Sequence, residues 1–231
     1  MKTTLAPQPK ACPPRRIPPA ARMTSRELQK AHDTLAAEYD RRTWFNEHVL
    51  GVARLRKTLL SQATGRILEV ACGTGINFRH YPPHGEITAV DLSPQMLDVA
   101  REKAGARRLS VRLEAMDAEQ LDFVDGSFDT VVSTLSTCTF PEPLHALREM
   151  GRVCRPGGLI LLLEHGHSSI PWLARYQDDH EYAHYQAHAG CRWTQEPLDL
   201  VHAADLKLMG SRRSILGIFH SIVATPASAG R

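Results

Sequence analysis

Short runs of branched apolar residues alternate along the chain with segments of helical periodicity. Five runs short enough for buried strands lie at residues 66–70, 86–91, 109–113, 126–133 and 159–164. Helical patterns lie at residues 25–39, 44–62, 93–100, 142–153 and 196–204. This alternation predicts an α/β fold with a parallel sheet and helices on both faces. Two last runs, at residues 206–211 and 216–224, predict closing strands, the final one antiparallel.

The N-terminal segment differs in composition from the rest of the chain. Residues 1–26 hold six of the fifteen prolines and six basic residues, with no acid before Glu27. We expect residues 1–24 to form a disordered tail in a cytoplasmic protein. The alternative is an organellar targeting peptide, although Pro13-Pro14 and Pro18-Pro19 disfavour the amphipathic helix that such a peptide needs.

A glycine turn follows the first strand, and an acid ends the second. Ala71-Cys72-Gly73-Thr74-Gly75 would let a ligand lie against the backbone, and Asp91 closes the strand–turn–helix–strand unit of a nucleotide-binding sheet. Phe78 stands where a dinucleotide fingerprint needs its third glycine. Glu69 would repel a pyrophosphate but suits a ligand that carries an ammonium and a sulfonium.

Four blocks in order resemble the class I S-adenosylmethionine (SAM)-dependent methyltransferases of the type 11 group. They are Glu69-x-x-x-Gly-x-Gly75, Asp117-Ala-Glu-Gln-Leu-Asp-Phe, Asp125-Gly-Ser-Phe-Asp-Thr-Val-Val and Arg152-Val-Cys-Arg-Pro-Gly-Gly. Three more stretches, which begin at Asn77, Glu164 and Gly190, resemble the family that includes alkyl-thiol methyltransferases. Bacterial phospholipid and ubiquinone-biosynthesis methyltransferases share the core blocks. The resemblance implies a Rossmann-like, seven-stranded, mostly parallel sheet over residues 25–231.

The same resemblance implies a set of SAM-binding residues. Gly73 and Gly75 would face the methionyl carboxylate, Glu69 the ammonium and Asp91 the ribose hydroxyls, while Met116 and Asp117 would hold adenine. Tyr39 would cover the cofactor, although a packing role is equally compatible with its position. Ala71 stands where the family usually carries glycine, and we expect binding to survive this change. The full predicted set is Tyr39, Glu69, Ala71, Gly73, Gly75, Asp91, Leu92, Met96, Met116, Asp117, Ala118 and Ser133.

The acceptor side is predicted from position rather than from a motif. His165 ends the fifth strand and is the candidate general base, with a polar loop contact as the alternative. Residues 166–193 are rich in aromatic residues and histidines, and we expect them to form a lid over the acceptor. The predicted acceptor-binding residues are Leu135, Trp172, Tyr176 and Tyr185.

Composition limits the partners of the chain. The net charge is +3, no basic block points to nucleic acid, and the longest apolar run, residues 159–163, is far too short to cross a membrane. Five cysteines and the trio His180, His184 and His188 show no complete metal-ligand set, so no metal is predicted.

The chain is therefore interpreted as an enzyme that methylates a small, fairly apolar thiol, quinol or lipid-like acceptor. The alternatives are a SAM-binding partner subunit without catalysis and an NAD(P)-dependent oxidoreductase. Phe78 and Glu69 disfavour the oxidoreductase.

Overall fold

A computed structural model describes residues 17–18, 21–81 and 85–227 of the chain. In these residues seven strands form one sheet of order β3-β2-β1-β4-β5-β7-β6. The strands are β1 (Arg66–Val70), β2 (Glu86–Asp91), β3 (Val111–Ala115), β4 (Phe128–Thr134), β5 (Cys154–His165), β6 (Leu206–Ser214) and β7 (Phe219–Pro226). Neighbours from β3 to β5 are parallel, and β7 runs antiparallel to both β5 and β6. The predicted fold class is confirmed.

Seven α-helices in the described residues connect or flank these strands. They are α1 (Ser25–Leu35), α2 (Tyr39–His48), α3 (Val52–Leu60), α4 (Pro94–Ala106), α5 (Pro143–Val153), α6 (Pro171–Ala187) and α7 (Pro197–Ala203). Helix α1 begins with a capping box between Thr24 and Glu27. None of these helices has the length and apolar character that a membrane span requires.

The single helix expected over residues 44–62 is instead two helices. Gly51 adopts φ 80 between α2 and α3, a conformation that glycine reaches without steric cost. As a result, Val49, which a continuous helix over residues 44–62 would turn toward the sheet, is 56% exposed. The apolar spacing continued through the break, so hydrophobic periodicity alone did not reveal it.

Successive strand residues supply two separate cores because side chains alternate between the faces of a sheet. On β1, Leu68 and Val70 join the core beneath α5 and α7, whereas Ile67 joins the core beneath α3 and α4. On β5, Leu162 and Leu161 divide in the same way. Burial on both faces explains why these strands are apolar throughout and why periodicity could identify them.

The first described residues pack on this body. Ile17 is buried, the Arg22 guanidinium donates to the Pro141 carbonyl, and the Met23 amide donates to the Tyr185 hydroxyl. Residues 21–24, which the composition assigned to a disordered tail, thus contact the core. Residues 1–16 and 19–20 of that tail lie outside the described residues.

Ala71, directly after β1, has φ 54, a left-handed conformation that strains any residue with a Cβ. We expect Ala71→Gly to relieve about 1 kcal/mol of strain, which offsets the entropic cost of the added glycine. The matched control is Ala89→Gly, since Ala89 is fully buried within the regular strand β2. We expect this control to lower the free energy of unfolding by about 1 kcal/mol. Urea unfolding should therefore rank Ala71→Gly above Ala89→Gly, and the reverse order would contradict the strain.

Candidate functional site

A cavity of about 740 Å³ lies at the carboxyl ends of the parallel strands. Residues that follow β1, β2, β3 and β4 and the last residue of β5 line one wall, and residues of α1, α2 and α6 line the other. The volume falls within the range of small-molecule sites. The position is the one at which open α/β sheets bind ligands, where the strand order reverses beside β1.

The glycine turn after β1 is tied to the end of β2. The Cys72 amide donates to the Val90 carbonyl at 3.0 Å, and the Gly73 amide donates to Asp91 Oδ2 at 2.7 Å. A Cβ built on Gly73 would meet nothing within 4 Å. Gly73 therefore borders open cavity space, as expected of a residue against which a ligand lies.

Asp91 holds its carboxylate at the cavity wall through backbone donors. Its Oδ1 accepts from the Ser93 amide at 2.9 Å, and its Oδ2 accepts from Gly73. Burial raises the pKa of Asp91 above its ordinary value, although these two hydrogen bonds oppose the shift. Each carboxylate oxygen keeps acceptor capacity for a further donor from the cavity.

The segments after β2 and β3 form an adjoining wall. The residues of the predicted cofactor set that line it are Leu92, Met96, Met116, Asp117 and Ala118. The Asp117 carboxylate caps its own turn by accepting from the Glu119 amide at 2.9 Å. The structure brings these residues together with Ala71, Gly73 and Asp91.

Helix α2 covers the glycine turn. Tyr39 lines the cavity, and burial raises the pKa of its hydroxyl to about 12. Its neighbour Asp40 accepts from the Thr74 hydroxyl at 2.6 Å and pairs with Lys103. The predicted covering position of Tyr39 is thus fixed by a polar contact between α2 and the turn.

Three residues of the predicted cofactor set lie behind the cavity wall. Glu69 is buried and accepts from Asn77 Nδ2 at 2.9 Å and from the Tyr81 hydroxyl at 2.8 Å. Gly75 lacks room for a Cβ because the Phe78 ring packs against it. Ser133 is fully buried and bonds the Ser136 hydroxyl. The structure gives these side chains packing and polar partners inside the protein rather than a place on the cavity wall.

The acceptor-side predictions divide in a similar way. Leu135, Tyr176 and His165 line the cavity. Trp172, in the first turn of α6, is 70% exposed, and Tyr185 is buried where its hydroxyl accepts from the Met23 amide. Neither residue lines the cavity: Tyr185 lies on the face of α6 opposite Tyr176, and Trp172, one turn before Tyr176, remains in solvent.

Cys138 and Cys191 lie beside His165 in the cavity lining. The sequence did not reveal this cluster. The potential ligand atoms of Cys138, His165 and Cys191 all lie within 4.8 Å of one another. Burial lowers the pKa of His165, but the neighbouring Cys138 and Glu164 raise it, and the net shift is upward. Burial lowers the pKa of His184, beside Cys191, to about 3. The three residues are 27 and 26 positions apart, so no local spacing could have signalled the cluster.

The sheet order, the glycine turn and the acid that ends β2 define the Rossmann-like fold of class I methyltransferases. Residues 68–162 match a family described as a methyltransferase domain. This match covers 95 of the 231 residues, less than half of the chain, and supports the predicted resemblance to methyltransferases.

Relatives with assigned names support the same class. The chain is 44% identical to demethylmenaquinone methyltransferase of Deinococcus radiodurans over 108 residues, 46% of this chain and 45% of that protein. It is 43% identical to phosphatidylethanolamine N-methyltransferase of Cereibacter sphaeroides over 103 residues, 44% of this chain and 51% of that protein. The chain thus spans about half the length of these two curated relatives.

A solved structure shares the fold. A SAM-dependent methyltransferase from Thermotoga maritima superposes with a TM-score of 0.64 over 87% of this chain and 100% of that one, at 22% identity. At this identity the likeness establishes the architecture alone.

Glu69 gives the site a testable pH dependence. Burial raises its pKa from 4.5 to about 7, although the hydrogen bonds from Tyr81 and Asn77 oppose the shift. Between these two values the folded protein holds a proton that the unfolded chain has released, so stability falls as the pH rises through this window. We expect wild type to lose free energy of unfolding relative to Glu69→Gln between pH 4.5 and 7, and urea titrations should measure the loss. Parallel curves for the two proteins would contradict the raised pKa.

Proposed function

We propose that the protein transfers a methyl group from SAM to a small, apolar acceptor of the quinol or lipid-like kind. The observation that carries the proposal is one continuous cavity with a polar end and many apolar lining residues. Gly73, Asp91 and Asp117 lie together at the polar end, and the apolar lining includes Leu35, Phe45, Leu50, Leu173 and Phe219. The relatives named for a menaquinone precursor and for phosphatidylethanolamine support an acceptor of this kind.

The residues at the polar end fit SAM. A ligand can lie against the backbone in the open space beside Gly73. A Cβ at this position would fill part of that space. The Asp91 carboxylate has spare acceptor capacity for two ribose hydroxyls, and Met96 and Met116 offer apolar, polarisable surface to adenine. Phe78 stands where a dinucleotide fingerprint has its third glycine, and its ring packs against Gly75, which disfavours a dinucleotide.

SAM supplies a methyl group on a sulfonium and leaves as a neutral thioether. The protein therefore needs chiefly to align donor and acceptor and to exclude water. Such positioning can lower the activation barrier by up to ~7–11 kcal/mol. Tyr39 and the rest of α2 cover the turn, and the Asp40–Thr74 hydrogen bond holds that cover in place. The predicted role of His165 as a base stays a prediction, as does a thiol acceptor.

The cofactor assignment is tested by Asp91→Asn. An amide cannot accept with both of its atoms, so we expect SAM affinity to fall by about 2 kcal/mol, roughly 30-fold. Isothermal titration calorimetry with SAM measures the loss, and NAD in the same cell should give no binding to either protein.

Asp98→Asn is the matched control for this experiment. Asp98 is an exposed acid on α4 that pairs with Arg101, and it lies outside the residues that line the cavity. Its substitution should leave SAM affinity unchanged. If Asp91→Asn binds SAM as tightly as this control while its melting temperature is preserved, Asp91 does not hold the cofactor.

The acceptor assignment is tested by Tyr176→Ala against Trp172→Ala. Both aromatics lie on α6, but only Tyr176 lines the cavity. We expect Tyr176→Ala to reduce turnover of a demethylquinol or phosphatidylethanolamine acceptor at least about tenfold, with SAM affinity within about threefold. Radiolabelled methyl transfer measures the turnover.

Trp172→Ala should behave as wild type in the same assay. Equal losses in both variants would place the acceptor elsewhere. Methyl transfer to no quinol, lipid or thiol by a wild type that binds SAM would favour the alternative of a SAM-binding partner subunit.

A further inference from the structure

Three side chains that can bind a metal ion, those of Cys138, His165 and Cys191, lie close together in the cavity lining. Cys191 Sγ lies 3.6 Å from Cys138 Sγ and 3.3 Å from His165 Nε2. All three residues line the cavity. Cys138 is almost completely buried, whereas Cys191 and His165 are partly exposed.

Two of the three separations match the edges of a metal tetrahedron. Zinc bonds of ~2.3 Å to sulfur and ~2.0–2.1 Å to nitrogen place tetrahedral S···S pairs about 3.8 Å apart and S···N pairs about 3.6 Å apart. The observed 3.6 Å and 3.3 Å are each within a few tenths of an ångström of these values, and the third pair, Cys138 with His165, lies within 4.8 Å. A disulfide would instead need the two sulfurs at about 2.0 Å.

The backbone around the two cysteines is fixed by a buried arginine. The Arg192 amide and its Nε both donate to the Cys138 carbonyl at 3.1 Å, and its guanidinium also donates to the carbonyls of Thr137 and Phe140. Because Arg192 follows Cys191 directly, these bonds set the distance between the two sulfurs. The third ligand, His165, is the last residue of β5 and is placed by the sheet.

A fourth side chain stabilises the cluster from outside. His184 Nε2 lies 3.4 Å from Cys191 Sγ, and its ring stacks on Trp193 at a centroid distance of 4.0 Å. Trp193 is itself held by its indole N–H, which donates to the Gln177 carbonyl. A neutral His184 would donate to a metal-bound Cys191 thiolate, the kind of outer partner that orients metal ligands.

We propose that Cys138, His165 and Cys191 form a binding site for a zinc-like divalent cation whose fourth position opens to the cavity. Two thiolates with one imidazole are a known ligand set of zinc sites that keep an open position. On binding, each thiol forms a metal–sulfur bond and releases its proton to solvent, while His165 binds through the lone pair of Nε2. The ion would then stand beside the acceptor in place of the free imidazole.

The test measures metal uptake by the full chain, without any activity assay. Reduced protein, stripped with a chelator, is titrated with Zn²⁺ and separately with Co²⁺. We expect one ion per chain, release of two thiol protons per ion together with any proton that His165 carries at the working pH, and the intense visible absorption of tetrahedral, thiolate-bound Co²⁺. Cys138→Ser and Cys191→Ser should each weaken Zn²⁺ binding by about 100-fold or more. Loss of a residue that only hydrogen-bonds to a ligand already weakens metal binding by about 10–100-fold, and these variants remove a ligand itself.

Cys154→Ala is the matched control, since Cys154 is a buried cysteine at the start of β5 that contacts the Leu159 carbonyl and lies outside the cavity lining. It should bind Zn²⁺ as wild type does. Uptake well below one ion per chain, or uptake that survives both cysteine variants, overturns the site. Failure of the reduced protein to take up an ion, with Cys138 and Cys191 recovered as a disulfide, overturns it as well. Calorimetry of the stripped protein with SAM is independent of these outcomes, so loss of the proposed function would be recognised separately.

Discussion

The hydrogen bond from the Gly73 amide to Asp91 is the contact on which the proposed cofactor end of the cavity depends. It joins the turn after β1 to the last residue of β2, and the Ser93 amide completes the pair of donors to the carboxylate. A buried carboxylate is costly unless such donors compensate it, which explains why its pKa is raised even with both in place. The protein thus holds the acidic group ready before any ligand arrives.

A second buried network supports the same end from behind. The Arg56 guanidinium donates to Glu47, Asn77 and Thr134, and Asn77 in turn donates to Glu69. This chain of charge-assisted bonds links α2, α3, β1 and the end of β4. Glu69 therefore acts in this structure as an anchor for the wall, and its conversion into a ligand contact would require a rearrangement of Asn77 or Tyr81.

Local patterns in the sequence predicted the sheet, the glycine turn and the segments after β2 and β3, because strand burial and turn chemistry are encoded within a few residues. Gly51 shows where this limit lies, since a single left-handed residue divided a helix whose apolar spacing was continuous. Trp172 and Tyr176 show a second limit. Composition predicted aromatics around the acceptor, but these two residues lie one turn apart on α6, and only the packing of the helix in the fold decides that Tyr176 lines the cavity while Trp172 remains in solvent. The convergence of Cys138 and Cys191 depends on Arg192 contacts across more than fifty residues, which no spacing rule records.

Three of the seven non-glycine residues with left-handed backbone in the described part of the chain line the cavity. Ala71, Leu135 and Ala189 all have φ between 48 and 55, and all three line the cavity. Each directly follows a regular element or its cap, after β1, β4 and α6 respectively, and each redirects the chain toward a functional segment. Left-handed non-glycine residues cost of order 1–3 kcal/mol and persist only where surrounding contacts fix them. Leu135 is fixed by its amide, which donates to the Leu163 carbonyl at 2.7 Å, so β5 holds the strained turn that carries Cys138 toward His165.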